Sequence, residues 1–291
     1  MRGDRKLYRL YGITLLMVML SAASTPGQTL PTPTPSPTAS TEPSLEKQFF
    51  KNILRDQKAI WTSPFHLERA DAKWMVPSFL GTMALFTTDR MTGDEVAEFD
   101  DLHSTSKILS YPGSIYAAGA TAASFYIVGR VNNDDRARET GILAAEASID
   151  TSIVVFALKE ATNRVRPQDG HDRSEFWDGG SSFPSGHSAE AWTLATIIAN
   201  EYHDHKVVQV AAYSLAGAVS AARFTGGKHY TSDAVVGSAL GYGIGKYVYS
   251  THHRKESDDD DSQSGLSRWP SFGPQFNRHA HEYGIALRWN F

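Results

Sequence analysis

Residues 141–167 read GILAAEASIDTSIVVFALKEATNRVRP. The first two thirds are apolar and small side chains over a helical length, broken only by Glu146 and Asp150. Lys159 follows, and Arg166 comes seven residues later, about two helical turns. The spacing predicts that both cations lie on one face of a helix that Pro167 stops or redirects. Two long cations at the end of an otherwise apolar helix need an anion to meet. Similar soft runs recur at residues 108–129, 189–200, 207–222 and 234–248. Runs of helical length dominate, so the chain reads as all-α, a helical bundle. The run at 108–129 is uncharged and long enough for a membrane span, yet it holds Pro112 and three glycines. Small residues of this kind suit tightly packed helices, and the expectation is a soluble bundle rather than a multi-spanning one.

The chain has 291 residues, 28 Lys plus Arg, 32 Asp plus Glu and a net charge of -4. That balance gives no basic excess for a nucleic-acid partner. Cysteine is absent, which removes disulfides, thiolate catalysis and cysteine-bound metal. Arg2, Arg5, Lys6 and Arg9 precede an apolar run at 10–20 and the small residues Ser21 to Ser24. Residues 1–23 therefore read as a signal peptide, and the product as exported, in a bacterial periplasm. An uncleaved anchor is the alternative. Residues 24–44, rich in Pro, Thr and Ser, read as a tether. Residues 45–291 form the folded domain, opening on a helix at 45–60 with Leu45, Phe49, Ile53 and Leu54 on one side. Asp258 to Asp261 read as a solvated acidic loop. Near the end, Tyr283, Ile285, Leu287, Trp289 and Phe291 alternate, the pattern of a short C-terminal strand docked on the helices.

Two further blocks carry polar chemistry. In Phe183-Pro-Ser-Gly-His-Ser188, just before an apolar helix, Ser185, Gly186 and His187 sit at a helix N-terminus. Backbone N–H groups there form an anion cradle, and Gly186 lets the backbone approach closely. Ser185 adds a hydroxyl, unless it serves only as a helix cap. His187 holds a proton ready near neutral pH. In the third block Arg223 is followed by Gly226-Gly227, His229 and Asp233. The glycine pair allows a tight reversal. His229 and Asp233, four apart, share a helix face, where Asp233 accepts a proton from one imidazole nitrogen and leaves the other for attack. Lysine, two arginines, a helix N-terminus, two histidines and an aspartate together answer a phosphoryl group.

Lys159, six residues, Arg166-Pro167; then Pro184-Ser185-Gly186-His187; then Arg223, five residues, His229, three residues, Asp233: this ordered set resembles the phosphatidic acid phosphatase type 2 / vanadium haloperoxidase superfamily, most nearly its secreted bacterial non-specific acid phosphatases. Ala222 departs from the serine usual before the arginine. The resemblance implies a helical bundle of the acid phosphatase/haloperoxidase type. His229 would attack phosphorus, and Asp233 would orient and activate it. Lys159, Arg166, Arg223, Ser185 and Gly186 would bind the phosphoryl oxygens. His187 would protonate the leaving oxygen and then activate water. No metal or other cofactor enters this route.

The expected function is a metal-independent hydrolase of phosphomonoesters or of lipid phosphates and pyrophosphates, acting through phosphohistidine. Its partner is a phosphorylated small molecule or a phospholipid, with peripheral membrane association. A vanadium-dependent haloperoxidase would hold vanadate in the same cradle, with His229 as axial ligand. A non-catalytic protein that binds phosphate or phospholipid is the remaining alternative, although binding alone has no need of a nucleophile.

Overall fold

The computed structural model describes residues 45–66, 72–97, 100–169, 174–253, 271–277 and 282–288. The leader and tether readings on residues 1–44, and the aspartates 258–261, lie outside them. The chain divides into two units, Met1–His253 and Arg254–Phe291.

Among the described residues of the first unit there are α-helices and short 3-10 turns, and no strand. The helices are α1 (Leu45–Thr62), α2 (Ala72–Ala97), α3 (Asp100–Leu109), α4 (Ile115–Asn132), α5 (Asp135–Thr162), α6 (Gly186–Glu201), α7 (Lys206–Thr225) and α8 (Thr231–His252). The all-α bundle read from the sequence is the observed architecture. In the second unit, β1 (Ser271–Asn277) pairs antiparallel with β2 (Glu282–Arg288), Phe276 opposite Tyr283 and Phe272 opposite Leu287. β2 covers the alternating stretch up to Arg288. β1 carries Gly273 and Pro274, which hide a strand from a pattern search.

α6 is the centre of the bundle, packed by α5, α7 and α8, while α4 lies along α5. Leu143, Ala144, Ala147 and Val154 of α5 meet Ala118 and Ala122 of α4, Leu194 and Ile197 of α6, and Ile244 and Val248 of α8. A second cluster joins Ala191 and Ala195 of α6 to Ala212, Ala216 and Val219 of α7. Alanines and glycines are interleaved with the larger core residues, and where they meet the helix axes approach closely. At Gly241 of α8 an added Cβ would stand 2.0 Å from the Ala189 carbonyl oxygen of α6, and at Gly237 2.4 Å from that of Ser185. Hydroxyls tie the same helices: Thr151 Oγ1 lies 2.8 Å from Thr193 Oγ1, which donates to the Gly241 carbonyl at 3.1 Å.

Three expectations change. The uncharged run at 108–129 is not one helix: the 3-10 turn Tyr111–Gly113, with Pro112 in it, separates α3 from α4. α5 ends at Thr162, before Pro167, because Asn163 adopts a left-handed C-cap (φ 43°) and returns its N–H to the Lys159 carbonyl. On α1, Leu54 is exposed, and the buried face is Leu45, Asn52, Ile53 and Asp56.

Many large apolar side chains lie on the outer surface of the helices. Val76, Phe79 and Leu80 of α2, Tyr116 and Ile127 of α4, Phe156 of α5 and Val207 and Val210 of α7 are all exposed. Among the described residues, two stretches are long and apolar enough to cross a membrane: residues 135–169, which are α5 with the turn that follows it, and residues 206–225, which are α7. The apolar part of the first is 61% buried, as a core helix would be, but that of the second is only 22% buried.

Candidate active site

The turn after α5 builds one wall. Residues 163–166 run beside 174–182 instead of continuing the helix: Val165 N–H donates to the Glu175 carbonyl and Ser182 N–H to that of Arg164. Arg166 is therefore off the helix that carries Lys159. The two cations still meet, at Ser181: Lys159 Nζ donates to its carbonyl at 2.5 Å and Arg166 Nη2 to its hydroxyl at 3.1 Å. Convergence comes from the loop, and not from a shared helical face.

The second wall is the N-terminus of α6. Ser185 is fully buried as its N-cap; its Oγ accepts from Ser188 N–H at 3.4 Å and from the Ser188 hydroxyl at 3.0 Å. Its visible work is capping. Gly186 opens α6, and an added Cβ there would sit 3.4 Å from Val155 and 3.9 Å from Lys159 Cε, which places the α6 amides beside the lysine. His187 follows in the first turn.

Arg223 closes the third side from the last turn of α7, with Nη1 donating to Ser110 Oγ at 3.3 Å. Gly227, at φ 63°, turns the chain, and Lys228 N–H returns to the Arg223 carbonyl. The reversal read from the glycine pair is present. It delivers His229 to the cradle one residue before the N-cap of α8, so His229 is not on the helix of Asp233.

His229 is buried, and its Nδ1 lies 2.7 Å from the Ser182 carbonyl oxygen. A carbonyl only accepts, so Nδ1 carries the proton and Nε2 keeps its lone pair. Asp233 Oδ2 stands 3.7 Å from the same Nδ1, a charge contact rather than the direct hydrogen bond that the spacing suggested. Oδ2 instead accepts from Ser182 Oγ at 2.5 Å and from Tyr230 N–H at 3.0 Å. Oδ1 accepts from Arg164 Nη1 at 2.6 Å.

Sequence reasoning passed over Arg164. Its guanidinium is almost fully buried, bonded to Asp233, to Ser232 Oγ at 2.8 Å and to Asp89 Oδ2 at 2.8 Å. It stacks over Tyr230 and Phe176, at 4.3 Å and 4.8 Å from the ring centroids. Two residues from Arg166, it looked like one more basic residue. Asp89, far upstream on α2, gave no signal, and Ser182 is unremarkable beside the Pro-Ser-Gly-His run.

The charges act on one another. Burial pushes the His229 imidazole down to about 4; Asp233 opposes the shift, and Arg223 and Lys159 add to it. His187 is likewise pushed down to about 4 by burial and by Arg223, His229, Lys159 and Arg166. Although burial alone would raise Asp233, His229 and Arg164 hold its carboxyl below the usual range. All three sequence blocks thus converge: Lys159, Arg166 and Arg223 act on His187, and Lys159 and Arg223 act on His229 as well. The Nε atoms of Arg166 and Arg223 are buried without a hydrogen-bond partner. Such donors have unused hydrogen-bonding capacity.

Residues 140–257 match the PAP2 superfamily. A lipid A 1-phosphatase from Porphyromonas gingivalis is 33% identical over 97 residues, 33% of this chain. The chain spans only 20% of that relative's length. Among solved structures, Aquifex aeolicus LpxE is 22% identical with a TM-score of 0.43, covering 58% of this chain and 94% of its own. A transmembrane PAP2-type phosphatidylglycerolphosphate phosphatase from Bacillus subtilis is 20% identical at a TM-score of 0.43, covering 70% and 94%.

These findings correct the expectation of a signal-directed, soluble periplasmic relative of the secreted acid phosphatases. The curated relative is a lipid phosphatase, and α7 turns a span-length apolar surface outward. Exposed apolar helix faces of this kind mark contact with a partner or a membrane. The small-residue interior was read rightly as close packing and wrongly as a mark of solubility, since close packing by small residues is equally how helices associate in lipid. The arrangement suits a membrane-integral or membrane-associated protein.

Proposed function

We propose that this chain is a membrane-integral phosphatase that hydrolyses a lipid-borne phosphate or pyrophosphate through a phosphohistidine on His229. The observation that carries the reading is the His229 ring, pinned by Nδ1–H to the Ser182 carbonyl so that Nε2 is the nucleophile. Nε2 attacks phosphorus while the bond to the leaving oxygen breaks. His187 gives that oxygen its proton; a bound phosphoryl dianion beside His187 favours the protonated ring that this step requires. Water then attacks the phosphohistidine, passes a proton to His187, and the P–N bond breaks to restore His229. Lys159, Arg166, Arg223 and the α6 amides gain strength as charge develops on the equatorial oxygens. Asp233, locked by Arg164 and Ser182, steadies the imidazolium character that forms. No step calls on a metal. A lipid substrate fits the exposed apolar helices around the cradle and the named activity of the Porphyromonas relative.

The test is phosphate release by detergent-purified protein from phosphatidic acid, a prenyl pyrophosphate and p-nitrophenyl phosphate. We expect preference for the lipids and loss of at least about a thousandfold in His229→Ala. Acid-labile, base-stable labelling at His229 should appear on rapid quench. Unchanged turnover in His229→Ala would refute the mechanism, and a preference for the soluble ester would refute the substrate class.

A further inference from the structure

About 20 Å along α5 from Lys159, by helical rise, a second polar cluster sits inside the bundle. Asp56 of α1, Glu146 of α5 and His252 of α8 bring one ligand atom each within 4.8 Å of one another. Asp56 and Glu146 are fully buried, and His252 nearly so. His252 Nε2 lies 2.9 Å and 2.8 Å from the two Asp56 oxygens. Asp150, also fully buried, is one helical turn further on; its Oδ1 accepts from Gln57 Nε2 at 2.8 Å.

The decisive feature is what these groups leave over. Both oxygens of Glu146, Oδ2 of Asp150 and Oδ1 of Asn52 are buried without a hydrogen-bond partner. Three buried carboxylates thus lie close to a single imidazole, and both oxygens of Glu146, which is within ligand distance of Asp56 and His252, lack a hydrogen-bond partner. Burying such groups unpaired is costly; a dication removes the cost at one stroke. Ligand atoms around a tetrahedral ion at ~2.1 Å stand roughly 3.4 Å apart, within the reach of this set.

We propose that Asp56, Glu146 and His252 bind a divalent transition metal, Mn2+ or Zn2+, with Asp150 and Asn52 as adjoining acceptors. The mixed oxygen and imidazole donors favour these ions over Ca2+. On binding, the carboxylates are ionised, His252 is neutral and its Nε2 proton is released, so the ion replaces that proton between His252 and Asp56. The role is structural. The ion staples α1 and the end of α8 to the middle of α5, remote from the phosphoryl cradle, and it takes no part in the reaction proposed above.

The test uses the full chain in detergent, stripped with EDTA and titrated with MnCl2 or ZnCl2. We expect roughly one equivalent bound by elemental analysis, and a rise in Tm of about 5–10 °C at saturation. For Mn2+ the free-ion electron paramagnetic resonance signal should be lost on binding. Glu146→Gln keeps the shape and removes a charge; it should bind at least about tenfold more weakly and lose the Tm rise. If neither ion binds or raises Tm in the wild type, the site is held by protons alone and the proposal is wrong. A Glu146→Gln variant that keeps the wild-type metal response would overturn it equally. Should that variant not fold, the wild-type titration alone decides. Activity is not the readout, so failure here leaves the phosphatase reading intact.

Discussion

His229 is kept neutral by its surroundings, and neutrality is what a nitrogen nucleophile requires. Its folded pKa, about 4, and that of His187, about 4, both lie below the ordinary 6.5. Between those values the unfolded chain binds protons that the folded chain refuses. These two groups therefore make stability rise with pH through that window and fall as pH drops toward 4. Removing one of them should flatten the slope: between pH 6.5 and 4.5 the wild type should lose more Tm than His187→Asn. Equal losses would contradict the environment described for His187. Lys159, Arg166, Arg223, His187, His229 and Asp233 were legible because fixed spacings in three blocks carry them. Arg164 and Asp89 were not, since burial and pairing decide their importance and neither shows in the order of residues.

Elements were legible where length and small-residue composition spoke, and illegible where a cap or turn intervened. The helical run before Lys159 was plain, but Asn163 ends α5 in a left-handed cap, which spacing alone does not reveal. The buried Asn52 and Asp56 on α1 defeated the simple apolar stripe in the same way. Between α6 and α8 the contact is backbone against backbone at Gly241. Because α6 carries His187 and α8 follows His229, this crossing also sets the distance between the two imidazoles. Gly241→Val must push the helices apart against the Ala189 carbonyl. We expect a loss of about 1–3 kcal/mol, read as a Tm lower by roughly 3–10 °C. A fall in kcat should accompany it. A variant with wild-type Tm and kcat would show that the crossing yields cheaply.

On the scale of the whole molecule, the deciding property is which way the apolar surface faces. Composition could not tell, because a core helix and a lipid-facing helix draw on the same residues; only the fold shows that α5 turns inward and α7 outward. The chain should stay in the membrane fraction through high-salt and carbonate washes and leave it only with detergent. Recovery in the carbonate supernatant would exclude the integral reading.

Ser182 has one further consequence. Its hydroxyl holds Asp233 and its carbonyl holds His229. Side-chain replacement reaches the first bond and never the second, since every amino acid brings the same carbonyl. A substitution scan would therefore score position 182 as a minor partner of the aspartate, while the tether that orients the His229 ring stays invisible to it. Only a change in the backbone itself, such as an ester in place of the amide that follows, would weaken that acceptor and expose how much of the reactivity rests on it.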